Sequence, residues 1–462
     1  MNKLVRFILA AGIFLLIFNT LWGASVVSEY NEINGPYGTG KVSVNLLNNR
    51  EQQGKNAFTL DEIKHLQEFY FKNADMAYAS TDESSAVYED NRTKANVCGV
   101  SDRYGMFHQI GMKTGSFITK GNSNEMVAVV DEELAIALFN NTNVVGMYIE
   151  LYGHRFRIIG VTAAEGSAVR TLADNGYGSV YIPVEYMLEY NTNSRITAFE
   201  TRTEYAGTTG RNISSMKEAL ASIGKDPSNY KLIDWNTQKI LLEEKAWMIV
   251  FISGAGIIIL LLKLFKKGVA DIYGTVNSAL EANYFREALK LKHVKLCLLI
   301  LEAAAALVLA YAVWDAVKFS LYVPPEYIPD ELIDMGFFHN LFESLAHARV
   351  QNAGYIPTFP EMKANALCML QNWNMLITLF GGFPLYFLGL RLSELGQGNT
   401  VKHLLYCCGL IFFSILLSLL ILRIFNMPIV VNTKGLLIVS AFVLLSVAGR
   451  RGIHYGGGFY KR

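Results

Sequence analysis

The sequence predicts an α-helical polytopic membrane protein of about six spans, with a mixed α/β extracytoplasmic domain inserted between spans 1 and 2. Three observations predict it. An apolar run opens the chain at Leu4–Trp22. A long stretch with no further span follows, and five more apolar segments then crowd the second half. Composition agrees: 52% of the 462 residues are hydrophobic and only 18% are charged, against ~25% charged in a typical soluble domain.

The spans are justified one by one. Leu4–Trp22 reads as a retained anchor within 1–23. Its rival is a cleaved signal peptide ending at Gly23-Ala24-Ser25, but the run exceeds the usual ~7–15-residue apolar core of such a peptide. Ala246–Leu262, Asn372–Leu390 and Leu404–Leu422 carry no charge, and each is long enough for a helix across a ~30 Å hydrocarbon core. Leu296–Trp314 holds a single acid, Glu302. Gly435–Gly449 is short, but Lys434 and Arg450 at its ends let it span by snorkelling. The resulting plan is an anchor (1–23), an extracytoplasmic domain (24–245), and spans 2 and 3 around a cytoplasmic turn at 263–295 (246–317). An outer loop (318–371), spans 4–6 (372–449) and a tail (450–462) complete it.

Positive charge orients the plan, because cytoplasmic loops are enriched in Lys and Arg. With Lys3 and Arg6 inside, the segments that fall inside are Lys263–Lys295, Arg391–His403 and the tail from Arg450, and all are basic. Both termini are therefore expected in the cytoplasm of a multi-pass plasma-membrane protein, with the large domain outside. The net charge of +1 and the lack of a basic stripe with interleaved aromatics give no reason to expect nucleic acid. Of the five cysteines, only Cys98 and Cys368 fall outside, which is no disulfide framework. Cys407-Cys408 read as small apolar packing residues within a span.

The outer domain reads as mixed α and β. Thr59 and Glu62 form a capping box ahead of a helix that carries Leu60, Ile63, Leu66, Phe69 and Tyr70. Met126–Val130 reads as a strand, and Asp131 caps a short helix through Leu134, Ala135, Leu138 and Phe139. Tyr148–Leu151 and Arg155–Val161 form a hairpin about Tyr152-Gly153-His154. Ser179–Pro183 is another strand, and Ser214–Ile223 a helix ending at Gly224.

Four blocks then carry a family resemblance: CGVSDRYGMFHQIGMKTGSFI (Cys98–Ile118), VAVVDEELAIALFNNTNVVGMYIELYGHRFRIIGVTA (Val127–Ala163), SVYIPVEYM (Ser179–Met187) and SMKEALASIGKDPSNYKLIDW (Ser215–Trp235). In this order, framed by an anchor and a second span, the chain resembles the MacB/FtsX-type ABC transporter permeases and their MacB-like periplasmic core domain. Most of these residues serve the fold alone: Gly146 and Gly153 make turns, while Leu138, Phe139, Ile158 and Ile159 are core. The resemblance implies a permease half that is no enzyme itself. Such a half pairs with a homo- or heterodimeric permease partner within membrane lipid. It also works with a separate cytoplasmic ABC ATPase, the subunit that binds ATP, so no cofactor is expected on this chain.

In such a permease, force enters through the cytoplasmic turn between spans 2 and 3, here 263–295. Its candidate residues are Lys266, Lys267, Tyr273, Tyr284, Arg286, Lys290 and Lys292. Ala270–Leu291 is either a helix that seats in an ATPase groove or an interfacial amphipathic helix held by its lysines. The turn departs from the family, whose Arg-Glu-rich signature has no good match in Leu262–Lys295. The long 318–371 loop and the hairpin Leu404–Gly449 are further departures. Glu302 is the candidate intramembrane functional acid. An unpaired charge there costs ~2.5–3.5 kcal/mol on insertion scales, so it is expected to face protein or water, with His293, His403 or a second subunit as partner.

Other signals weigh less. Gly35-Pro-Tyr-Gly-Thr-Gly40-Lys41 matches G-x4-G-K, but Val42 stands where a Ser or Thr should hold Mg²⁺ and no strand precedes it. It reads as a glycine-rich exit from the anchor. His339, Glu343 and His347 share a helix face and could hold a metal. The surrounding Phe337, Phe338, Leu341, Phe342 and Leu345 favour a helix on the outer membrane surface instead, so no metal site is assigned. Gly381-Gly382-Phe383-Pro384 is one helix break without the counterpart that a secondary transporter needs. The expected function is a permease or mechanotransmission subunit of an ABC system that exports or releases a substrate. The alternative is an ATPase-independent envelope interaction or sensor protein built on the same outer domain.

Overall fold

A ten-stranded sheet organises the extracytoplasmic part of the computed structural model. Described are residues 3–47, 53–72, 74–164, 177–202, 211–280, 285–324, 327–329, 334–351, 355, 357–394 and 400–456. The chain divides into two units. One comprises Met1–Val26, Leu242–Leu321 and Met369–Arg462, the other Val27–Leu241 and Tyr322–Cys368.

In the second unit the strands are β1 (Lys41–Leu46), β2 (Met76–Tyr88), β3 (Asn91–Val100), β4 (Met112–Gly115) and β5 (Val127–Asp131). They continue with β6 (Tyr148–Leu151), β7 (His154–Thr162), β8 (Ser179–Pro183), β9 (Ala198–Arg202) and β10 (Tyr230–Asp234). Their order is β10-β1-β9-β2-β3-β8-β5-β7-β4, with β6 pairing β2 and β7. Only β3–β8 and β5–β7 run parallel among the described strands. The helices of this unit include α2 (Leu60–His65), α3 (Glu132–Phe139), α4 (Val184–Tyr190) and α5 (Arg211–Ser222). One core joins α3 and α4 to the sheet through Val97, Val130, Leu134, Leu138, Phe156 and Ile182. A second joins α2 and α5 to it through Val44, Phe58, Ile63, Phe199, Met216 and Leu220.

Local signals in the sequence hold up. Thr59 Oγ1 accepts from Glu62 N at 3.2 Å, and Glu62 Oε2 accepts from Thr59 N at 2.9 Å, closing the capping box. Asp131 Oδ1 accepts from Leu134 N at 2.7 Å. Its other oxygen takes Ser179 N at 2.6 Å, so one side chain ties the α3 start to β8. Gly224 has φ +73° after α5, the left-handed stop that glycine adopts without strain. The helix expected through Tyr70 instead widens after His65 into a π turn at Leu66–Tyr70.

The first unit is helical. Its helices are α1 (Lys3–Ile33), α6 (Trp235–Leu280), α7 (Phe285–Val317), α9 (Phe359–Ile377), α10 (Phe383–Glu394), α11 (Thr400–Ile424) and α12 (Thr433–Gly456). The helix α8 (Met335–Gln351) belongs to the second unit, and α1, α6 and α9 each run from one unit into the other. Five helical stretches are long and apolar enough to cross a membrane: Lys3–Ile33, Trp235–Leu280, Lys292–Val317, Phe359–Ser393 and Val401–Ile424. The expected sixth, at Thr433–Gly449, is apolar but shorter. Within this unit α1 is the best covered, with Leu9, Ile13, Leu16, Ile17 and Leu21 at most 1% exposed. Its backbone meets α10 closely, since a Cβ built on Gly389 would lie 2.7 Å from Leu9 Cα. Only a small residue permits such an approach between spans.

Two helices extend beyond the apolar runs expected as spans. The helix that carries the expected span 4, α9, starts at Phe359, inside the stretch expected as an outer loop. The other is α6. It runs unbroken for 46 residues, or ~69 Å at 1.5 Å per residue, about twice the hydrocarbon thickness. The glycine break in span 4 is a π turn at Thr378–Gly382. It sits just before Pro384, whose missing N–H removes a rung of the helical ladder.

Candidate functional site

Burial of charge marks the outer domain's most constrained positions. Lys41 opens β1 and is 0% exposed. Its Nζ donates to Phe107 O at 2.6 Å and to Glu200 Oε2 at 3.3 Å, and lies 4.8 Å from the Trp235 ring centre. His108 Nε2 meets the same Glu200 oxygen at 2.9 Å. Ser43 donates to the other carboxylate oxygen and takes a hydrogen bond from Trp235 Nε1. Lys41 follows a loop after a helix and begins a strand, the reverse of the strand–loop–helix order that cradles phosphates.

The electrostatics follow from this packing. Burial alone would raise the Glu200 carboxyl, but His108 and Lys41 outweigh it and hold the group at about 2. Burial lowers both cations, Lys41 and His108, with Glu200 opposing that in each case. Glu200 is thus a carboxylate whose charged state contributes stability above its unfolded value of 4.5, lost as pH falls from there toward 2. His108 is neutral inside, so below 6.5 the unfolded chain takes up its proton first. Both groups therefore weaken the fold on acidification. In the full chain, the outer-domain unfolding midpoint should fall steadily below pH 6.5. His108→Gln should flatten the pH 5–6.5 part of that fall, and an unchanged slope there would refute the assignment.

A second buried carboxylate, Glu361, lies at the start of α9 and is 2% exposed. It accepts hydrogen bonds from Asn45 Nδ2 on β1 at 3.3 Å, from Lys231 Nζ on β10, and from the Tyr355 hydroxyl. Lys231 also sits 4.9 Å from the Tyr355 ring centre. This carboxylate fastens the first turn of α9 to the edge of the sheet. The arrangement is a clasp: it offers an ion pair and hydrogen bonds between distant segments, with no nucleophile–base pair for chemistry.

The residues expected from sequence are placed as follows. Lys266, Lys267 and Tyr273 lie exposed on the extension of α6, with Tyr273 74% exposed. Lys292 on α7 donates to Ser278 Oγ at 3.2 Å. Gly268 and Ala303 also face each other across the pair, a Cβ on the glycine standing 3.5 Å from the alanine's. The expected turn is therefore a helical hairpin of α6 and α7. Tyr284 and the side chains of Arg286 and Lys290 lie outside the described residues. Glu302 is exposed on α7 beside Leu298 and Leu301. Among the described residues Glu302 makes no ion pair. His347 and Glu343 on α8 approach to 3.9 Å, both exposed. No group of three metal-ligating side chains occurs among the described residues. Cys98 and Cys368 are not joined in a disulfide, and burial pushes Cys98 up to about 12.

Taken together, these features define a membrane protein whose first two spans bracket a periplasmic-type α/β domain. Residues 7–222 match the family model of the MacB-like periplasmic core domain. An uncharacterized ABC transporter permease, YknZ of Bacillus subtilis (strain 168), is 26% identical over 145 residues, which is 31% of this chain. The match spans only about a third of that relative, 35% of its length. The extracellular domain of the noncanonic ABC-type transporter YknZ from Gram-positive bacteria aligns at 16% identity with a TM-score of 0.34. It covers 42% of this chain and 99% of that one. The periplasmic region of MacB from Actinobacillus actinomycetemcomitans aligns at 18% identity with a TM-score of 0.37, over 47% and 97% of the two chains.

Proposed function

We propose that the chain is the permease or mechanotransmission half of an ABC-type system, driven by a separate cytoplasmic ATPase and exporting or releasing a substrate at the outer face. One observation carries the reading: the stretch that matches the MacB-like core domain is followed by α6, whose apolar run leads without a break into the lysine-rich segment from Lys263. A rod of that kind passes displacement between an energised partner and the outer domain. In this reading both termini are cytoplasmic, the outer domain is extracytoplasmic, and the exposed faces of α7 and α11 meet lipid or a second permease half. Glu302 finds its partner on that second half. The family's signature is poorly matched before Lys295, which favours a second reading, an envelope interaction module without an ATPase.

The deciding experiment is a pull-down of the tagged chain from native membranes in mild detergent, with mass spectrometry of its companions. A stoichiometric ATPase supports the permease reading, and an intact complex without one supports the second. Given that partner, reversing charge at Lys266, Lys267, Lys290 and Lys292 should abolish coupled ATP hydrolysis while the outer-domain melting transition stays in place. Unchanged hydrolysis would remove the hairpin from the coupling path.

A further inference from the structure

Within the helical unit, α1 and α9 meet in part through buried amides, and a buried indole, Trp22, follows three residues after Asn19 on α1 with its ring against Phe18 and Phe425. Asn19 and Gln371 are 0% exposed and Trp22 is 7% exposed. Asn374 Nδ2 donates to Asn19 Oδ1 at 2.8 Å, and Thr378 Oγ1 donates to Asn374 O at 2.8 Å. Gln371, Asn374 and Thr378 thus share one face of α9 and its continuation. The end of Gln371 lies against α1, since a Cβ built on Gly23 would stand 3.5 Å from its Nε2.

Four buried atoms of this cluster have no protein partner among the described residues: Asn19 Nδ2, Trp22 Nε1, Gln371 Nε2 and Gln371 Oε1. Buried polar groups in native proteins are almost always satisfied, commonly by ordered water. An amide or indole without a partner is costlier still where lipid surrounds the helices. The π turn that begins at Thr378 lies two helical turns further along the same face of α9, and such widenings recur at functional positions in helices.

We propose that Asn19, Trp22 and Gln371 form an internal water site between α1 and α9. The donor-rich set disfavours a metal cation, and no Lys or Arg stands in the cluster to balance an anion. The near-complete burial of all three side chains admits only a very small guest. Water supplies both what the three donors need and what the Gln371 carbonyl needs. The contact between α1 and α9 then rests on exchangeable hydrogen bonds, which let two packed helices shift without stranding a polar group. This site does not depend on whether an ATPase drives the chain.

The test is microsecond X-ray radiolysis of the full chain in lipid nanodiscs, with mass spectrometry of tryptophan oxidation. Hydroxyl radicals form at bound water, so a buried side chain beside water is modified quickly. Trp22 should oxidise several-fold faster than Trp235, which is 1% exposed and bonded to Ser43, and oxygen from ¹⁸O-labelled solvent should appear on it. Gln371→Leu should slow Trp22 several-fold while leaving Trp235 and the exposed Trp373 unchanged. Gln371→Met serves the same purpose should the leucine variant fail to fold. Trp22 oxidising as slowly as Trp235, or at a rate indifferent to both substitutions, overturns the proposal. A co-purifying organic molecule that shields Trp22 would give the slow result and overturn it as well.

Discussion

Replacing Lys41 with Met is expected to destabilise the outer domain by about 3–5 kcal/mol, the usual cost of leaving one member of a buried ion pair without the other. In a domain of this size that corresponds to a drop of roughly 6–20 °C in the melting midpoint. The loss should depend on pH. Lys41 helps keep His108 neutral, so its removal lets His108 take a proton and neutralise Glu200. The deficit is therefore largest near pH 8 and smaller near pH 5.5. The double variant Lys41→Met/Glu200→Gln should recover part of the loss, because no carboxylate is then stranded. Calorimetry of the full chain at the two pH values checks each statement. A deficit independent of pH would show that His108 does not compensate. Nucleotide binding is expected to be unaffected in every variant.

The second large effect is expected at Glu361. Glu361→Ala removes the acceptor shared by Asn45, Lys231 and Tyr355. Lys231 can turn to water, its side chain being 33% exposed. Asn45, only 4% exposed, cannot. A loss of about 2–4 kcal/mol follows from the stranded amide and the missing charge-assisted bonds. It should be local. Hydrogen exchange should quicken in the first turn of α9 and along β1 and β10, and stay unchanged in β5 and β7. Glu361→Gln, which keeps an acceptor but not the charge, should fall between. Exchange that quickens uniformly across the sheet would mean Glu361 supports the whole domain and is no clasp.

Why were these carboxylates not legible in the sequence when the helix caps were? Caps and hairpins are local: Thr59 and Glu62, or Asp131 and Leu134, sit within one turn, so spacing alone finds them. Lys41 and Glu200 are 159 residues apart, and Asn45 and Glu361 are 316 apart. The strand Lys-Val-Ser-Val-Asn-Leu alternates as if Lys41, Ser43 and Asn45 faced water. All six positions are nonetheless buried, because Glu200, Trp235 and Glu361 cover the polar face. A lysine opening such a strand directly after a glycine-rich loop was the available signal. The long hairpin of β2 and β3 escaped for the opposite reason. Its residues, such as Asp82, Glu83, Ser84 and Ser85, are polar and partly exposed on both faces, so no period of two stands out. The spans were legible in number better than in extent, since hydropathy marks where lipid begins and not where a helix ends.

The contact between α1 and the fourth span also governs the order in which this protein is made. Leu15 and its partner Thr378 are 363 residues apart in the chain. At ~5–20 residues per second, the ribosome takes roughly 20–70 s to reach the second after the first. Throughout that interval Asn19 on the opening helix waits for Asn374, although Ala246 of α6 reaches its Gly23 sooner. Insertion machinery or lipid must shelter it until its mate arrives. Assembly of this protein is therefore gated by translation time, and slowing synthesis before residue 359 would lengthen the window in which quality-control proteases can recognise an orphaned first helix.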